Sequence, residues 1–163
     1  MHVERTITYG ADLQSVQAVL VSQELAQARA DAGELAAPSH SLKEADSAPH
    51  AVTVVTVPAS RLPDKAKRLI SKDTVVTITQ AWDSTGPNKA TATFTIDVGS
   101  LPVKVALTQT LVADGDTTTS TYSGDVKVSV PIIGAKLEKV AASKVDQLLA
   151  GDQKLVNGLL EKR

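Results

Sequence analysis

Cysteine is absent from this sequence and aromatic residues are scarce. Without cysteine the chain can form no disulfide and no thiolate metal site. Aromatic residues make up only 2% of the 163 residues: one Phe, one Trp and two Tyr. The interior must therefore be built from Val, Leu, Ile and Ala, and small side chains fill a large interior poorly.

Long apolar runs are also missing. No stretch approaches the roughly 18 apolar residues of a membrane-spanning helix, and the first residues lack the basic start and apolar run of a signal peptide. We expect a cytoplasmic protein with no integral membrane segment. Because 17 basic residues balance 18 acidic ones, the net charge is -1 and nucleic acid is not an expected partner.

The remaining composition is that of an ordinary folded protein. Hydrophobic residues make up 42% of the chain and charged residues 21%. A length of 163 residues suits one hydrophobic core, so we expect a single domain over residues 1–163.

The first third of the chain predicts a strand, two short helices and two more strands. Residues 3–9 are rich in β-branched and aromatic side chains and end at Gly10, which predicts a strand. Asp12 and Ser22 occupy N-cap positions before two apolar patterns of helical spacing, and Gly33 ends the second. Residues 36–48 predict a short or edge strand and residues 51–59 a clear one, and residues 62–70 predict a short helix.

Residues 74–130 alternate with a period of two in four runs separated by turn residues, which predicts an antiparallel meander. One face of these runs is apolar and the other is mostly Thr, Lys, Ser and Asp. The apolar face comprises Val76, Ile78, Gln80, Trp82, Ala90, Ala92, Phe94, Ile96, Val98, Val103, Val105, Leu107, Gln109, Leu111, Tyr122, Val126, Val128 and Val130. A one-sided sheet of this kind must be covered by another element.

The end of the chain supplies that cover. Residues 135–162 carry an apolar stripe at helical spacing that includes Leu137, Val145 and Leu148. About 28 residues at roughly 1.5 Å each make a helix of about 42 Å, long enough to cross a small domain.

Two segments carry a resemblance to a known superfamily. They are YSGDVKVSVPIIGAKLE at residues 122–138, and Arg61-Leu62-Pro63 followed by a short helix and a strand that ends at Trp82. Together with the order of elements, they resemble an uncharacterised domain-of-unknown-function family within the START and birch-pollen-allergen superfamily, also called SRPBCC. The resemblance spans nearly the whole chain.

The resemblance implies an α+β helix-grip fold. In that fold a curved antiparallel sheet, here of about seven strands in the order β-α-α-β-β-β-β-β-β-α, wraps around a long C-terminal helix. It also implies a deep cavity between sheet and helix, which the superfamily uses for lipids, sterols, plant hormones, polyketides and other apolar molecules. It supplies no catalytic residues, because fold alone does not assign function.

Eight residues are candidates for the lining of such a cavity. Gln80, Gln109 and Tyr122 lie on the inward frame of their strands and could orient a ligand, although a register shift of one residue would place the glutamines in water. Large aromatic residues on such a face can equally be plain core. The apolar candidates are Trp82, Phe94, Leu137, Val145 and Leu148.

No motif for catalysis, phosphate binding or metal binding is present. The three histidines have no metal-ligand spacing, and neither a nucleophile elbow nor a glycine-rich phosphate loop occurs, so no cofactor is expected. The basic cluster around Arg61 and Lys65 is typical of a solvated surface, with contact to an anionic lipid as the alternative.

The leading hypothesis is a non-enzymatic protein that binds a small hydrophobic molecule. The alternatives are a cyclase- or hydrolase-type enzyme that uses the same cavity, and a partner-binding module with a filled interior. The enzyme hypothesis would gain if His40, Glu44 or Asp97 lay inside the cavity. The volume of the interior separates the first hypothesis from the third.

Overall fold

The computed structural model of the chain describes residues 1–45, 48–68, 71–99 and 101–163. Strand β1 is followed by two helices, two strands, a short helix, four strands and a long final helix. Their bounds are β1 His2–Tyr9, α1 Leu13–Leu20, α2 Gln23–Ala32, β2 Ser39–Ala45, β3 Ala48–Val57, α3 Asp64–Lys67, β4 Thr74–Thr85, β5 Lys89–Val98, β6 Val103–Asp114, β7 Thr117–Val128 and α4 Gly134–Glu161.

The seven strands form one antiparallel sheet in the order β1-β7-β6-β5-β4-β3-β2. Each strand from β2 to β6 pairs with the next strand along the chain, and the N-terminal strand β1 pairs with β7. The sheet is curved, and α4 lies across its inner face in contact with β1 and β7. The predicted helix-grip fold is therefore confirmed.

Local sequence explains where the first two helices begin. The side chain of Asp12 accepts a hydrogen bond from the backbone N–H of Ser15 at 3.4 Å, and the Ser22 hydroxyl accepts one from Leu25 N–H at 3.2 Å. Each cap satisfies a backbone donor that has no partner inside its own helix. Both N-caps are as the sequence predicts.

Several bounds differ from the sequence prediction, among them those of β3 and α3. Strand β3 begins before Pro49 rather than after it. Proline is tolerated there because the pairing of β3 with β4 starts only at His50, so Pro49 has a neighbouring strand on one side alone. The helix predicted over residues 62–70 is shorter, since α3 covers Asp64–Lys67. Leu69 and Ile70, at the end of the predicted helix, lie outside the described residues.

Candidate functional site: an aliphatic cavity under the long helix

A cavity of about 340 Å³ lies between the inner face of the sheet and the first half of α4. Its floor is formed by β4, β5 and β6, its roof by α4, and one side by the segment between β3 and β4. The lining residues are Val57, Arg61, Leu62, Pro63, Ala66, Val76, Ile78, Ile96, Val98, Leu101, Val103, Val105, Leu137, Val140, Ala141, Lys144, Val145 and Leu148. The surface is almost wholly aliphatic.

Strand register places the cavity at one end of the sheet. Val76 is paired with Val98 in one cross-strand row, and Ile78, Ile96 and Val105 are neighbours in the next. These inward positions carry only branched aliphatic side chains. Because such side chains are short, they leave space between the sheet and the helix above it.

The other end of the sheet holds the aromatic residues and is closed. Trp82, Phe94 and Tyr122 are all at most 1% exposed, and the rings of Phe94 and Tyr122 meet edge to face with centroids 5.6 Å apart. Tyr9 at the end of β1 is also fully buried. All four aromatic residues of the chain therefore lie in this end, which we call the closed end.

Some polar side chains in the closed end bond to one another, whereas Gln80 Oε1 and Trp82 Nε1 are buried there without a hydrogen-bond partner among the described residues. The Gln80 amide donates to Oε1 of Gln109 at 2.5 Å, and the Gln109 amide donates to the hydroxyls of Tyr122 at 2.8 Å and Ser120 at 3.1 Å. Buried polar groups need such partners, because an unpaired one is costly in a medium of low dielectric constant. These bonds link β4 to β6 across the inner face of β5, and β6 to its neighbour β7.

The structure separates the eight predicted lining residues into two groups. Leu137, Val145 and Leu148 line the cavity. Five others point inward as expected but lie at the closed end and outside the cavity lining: Gln80, Trp82, Phe94, Gln109 and Tyr122. Alternation along a strand predicts which face a side chain occupies, whereas its position along the sheet depends on register and on what covers it.

A separate void of about 10 Å³ lies beside two of these residues, Gln80 and Phe94. Its volume is that of about one water molecule, so it is far too small for an organic ligand. A role of the two residues in ligand binding stays a prediction.

Sequence reasoning missed the strand residues that form the cavity floor. Val76, Ile78, Ile96, Val98, Val103 and Val105 were expected on the inner face but not as ligand contacts. The sequence does carry a signal, because these consecutive inward positions lack any aromatic residue while inward positions further along β4 and β5 carry Trp82 and Phe94.

The segment between β3 and β4 forms one edge of the cavity mouth. Leu62 and Ala66 are buried there against Val57 and Leu101. The guanidinium of Arg61 donates to the carboxylate of Glu34, and this bond holds the pKa of that carboxyl below its usual range. Arg61 therefore links the edge of the cavity mouth to the residue Glu34, just after the end of α2.

The three acid–base candidates lie elsewhere. The His40 ring bonds to the Thr53 hydroxyl at 2.7 Å and to the Val21 carbonyl at 2.8 Å, and both Glu44 and Asp97 are exposed. Among the described residues, no Asp, Glu or His lines the cavity, and no group of three His, Cys, Asp or Glu residues could hold a metal ion.

Comparison with known families identifies the chain. Residues 4–160 match the model of the DUF2505 family, described as a protein of unknown function. The chain belongs to the DUF2505 family. A comparison of the DUF2505 chain with curated protein sequences finds no match.

Solved structures share the fold of the DUF2505 chain at low sequence identity. A START superfamily protein from Mycobacterium smegmatis has a TM-score of 0.55 and 16% identity, over 99% of this chain and 97% of its own. A protein from Thermus thermophilus gives 0.59 and 15%, over 98% and 99%. A conserved Geobacillus kaustophilus protein gives 0.57 and 14%, over 99% and 96%. The resemblance to the START-like superfamily is confirmed at the level of fold.

None of the helices that the structure describes is both long and apolar enough to cross a bilayer.

Proposed function

We propose that this DUF2505 chain binds a small, largely apolar molecule in the cavity between the sheet and α4. The observation that supports the proposal is the cavity itself, with about 340 Å³ lined almost wholly by aliphatic side chains. Cavities that bind small molecules span about 300–1,000 Å³ and are mostly apolar. This cavity lies at the lower end of that range, so it suits a small ligand.

The driving force is the removal of apolar surface from water. Burial of hydrocarbon contributes about 25 cal/mol per Å² of apolar area on both the ligand and the cavity wall. A ligand with an unsatisfied polar group in the middle of the cavity would lose much of that gain, because the floor offers no hydrogen-bonding side chain. The proposed ligand is therefore a short hydrocarbon chain or a compact ring system.

The two alternatives have weaker support. A partner-binding module with a filled interior does not account for a cavity of this size. A cyclase- or hydrolase-type enzyme needs a positioned acid or base, and the described lining residues include no Asp, Glu or His. Binding without chemistry is the function that these surroundings favour.

Two further expectations from the sequence are kept as proposals. We propose that residues 1–163 act as one domain, and that the domain works in the cytosol, since a chain without cysteine has no sign of an oxidising compartment. A lipid-like or polyketide-like molecule remains the proposed class of ligand.

Titration with 1-octanol tests the proposal, because this ligand is uncharged and has a size suited to the cavity. We expect saturable binding by calorimetry, with shifts of the NMR methyl signals of Val103 and Val105 on the cavity floor. Ala141→Phe, which adds a ring inside the cavity, should weaken binding at least tenfold.

Ala150→Phe is the matched control, because residue 150 lies on the exposed side of the same helix. This variant should bind octanol like the unmodified chain. No saturable binding by the unmodified chain, or equal binding by Ala141→Phe and the unmodified chain, would contradict the proposal.

A further inference from the structure

A groove rich in lysine adjoins the cavity mouth. It runs between α3 and α4, and its lining residues are Lys65, Lys136, Lys139, Val140, Ser143, Lys144 and Gln147. Two of these residues, Val140 and Lys144, also line the cavity, so the two spaces share a border. We call this surface the lysine groove.

The lysines of α4 share one face because of their spacing. Residues 136, 139, 140, 143, 144 and 147 are separated by three and four positions, which places them on one side of a helix. Lys65 on α3 faces this side from across the groove. Four cationic side chains therefore surround a single opening, and no acidic residue is part of its described lining.

Three of the four acidic residues of α4 are paired with residues outside the groove lining. Glu138 pairs with the N-terminal amino group at 3.0 Å, Asp146 bonds to Arg5 at 2.7 and 2.8 Å, and Asp152 bonds to Arg29 inside the core. None of the four groove lysines takes part in an ion pair among the described residues. The four groove lysines thus have no carboxylate within 4 Å among the described residues, although the whole chain carries -1.

We infer that the ligand is an amphipathic anion whose hydrocarbon part fills the cavity and whose carboxylate or phosphate lies at the mouth against Lys144 and the other groove lysines. This inference rests on the proposed function. An aliphatic cavity excludes charge, so the charged end of such a ligand must stay at the water-filled mouth. An anion at that point relieves the repulsion between the clustered lysines, which a cation would increase.

Four ligands with the same hydrocarbon chain test this inference: octanoate, octyl phosphate, 1-octanol and octyltrimethylammonium. All are titrated below their micellar concentrations. We expect at least one of the two anions to bind about five- to tenfold more tightly than octanol, and the cation more weakly than octanol. The anion preference should shrink in 1 M salt, where charges are screened beyond about 3 Å. The ratio of octanoate to octyl phosphate affinity distinguishes a carboxylate ligand from a phosphate ligand.

Charge reversal locates the interaction. The double variant Lys136→Glu and Lys139→Glu changes two groove lysines that do not line the cavity, so it should lose the anion preference while its affinity for octanol stays within about twofold of the unmodified chain. The control pair Lys89→Glu and Lys154→Glu makes the same change in net charge at exposed positions outside the groove, and should keep the preference.

The outcomes separate the inference from the proposed function. Equal affinities for octanol and both anions, or an anion preference that survives in the groove variant, would overturn the inference and leave apolar binding intact. Absence of octanol binding would overturn the proposed function as well. Binding to phosphatidylserine vesicles without binding of any monomeric anion would replace the inference with a membrane-docking surface.

Discussion

Arg29 on α2 and Asp152 on α4 form a buried ion pair with two parallel hydrogen bonds. Nε of Arg29 lies 2.9 Å from Oδ1 of Asp152, and Nη2 lies 2.5 Å from Oδ2. The carboxylate side chain is 0% exposed and the arginine side chain 12%. The pair joins the second helix to the long helix over the closed end of the sheet, away from the cavity.

Removal of one charge from this pair should strongly destabilise the fold. Asp152→Asn leaves the Arg29 guanidinium buried without its counter-charge, and we expect the free energy of unfolding to fall by about 3–5 kcal/mol in urea denaturation. Asp146→Asn is the control, because it breaks the half-exposed pair with Arg5 and should cost about 1 kcal/mol or less. Equal losses in the two variants would contradict a special role for the buried pair.

Both tyrosines should resist ionisation in the folded protein. Burial raises the pKa of Tyr9 above its usual range, with a further contribution from Asp152, and burial, Tyr9 and Asp152 raise the pKa of Tyr122. Because the folded pKa lies above the unfolded value of about 10, this contribution to stability is complete below pH 10. It is lost as pH rises from there through the folded pKa values.

The tyrosinate absorbance of native and denatured protein measures this effect. We expect the denatured chain to titrate near pH 10 and the native chain to titrate only at higher pH or on unfolding. Tyr122→Phe should lessen the dependence of unfolding free energy on pH above 10, because one of the two coupled groups is gone. Native tyrosines that titrate at about pH 10 would show that the phenols are accessible.

Two glycines should respond in opposite ways to substitution by alanine. A Cβ atom at Gly124 on β7 would lie 2.1 Å from the carbonyl oxygen of Ala106 and 2.7 Å from Cα of Leu107, so Gly124→Ala should destabilise by about 1–3 kcal/mol or more. Gly151 lies inside α4 with open space around it, and Gly151→Ala should stabilise by about 0.5–1 kcal/mol. Thermal denaturation of the two variants tests both signs, and a neutral Gly124→Ala would refute the close backbone approach.

A series of linear alcohols should report the length of the cavity. Each added methylene should improve affinity by about 0.8 kcal/mol, or about fourfold, until the chain fills the cavity. Longer alcohols should gain little, because their additional carbons remain in water beyond the mouth. Calorimetry with alcohols of four to fourteen carbons locates the break, and a gain that continues unchanged to the longest alcohol would contradict a cavity of this size.

Local sequence patterns are enough to predict the elements of this chain and the faces they present. Asp12 and Ser22 mark the starts of two helices, alternation predicts the inward side chains of the meander, and the apolar stripe predicts the long closing helix. These features depend on residues a few positions apart in the chain, so the spacing of residue types in the sequence is enough to predict them. The shortage of aromatic residues predicted incomplete filling of the interior for the same reason.

Tertiary packing, in contrast, sets which part of the interior stays open and which charges are paired. Trp82 and Ile78 share one face of β4, yet Trp82 is packed in the closed end and Ile78 lines the cavity. Strand pairing and the position of α4 determine which part of this face is covered. Likewise, residues 29 and 152 meet only when α2 packs on α4. Contacts between residues so far apart in the chain depend on register and helix packing, which local patterns do not contain.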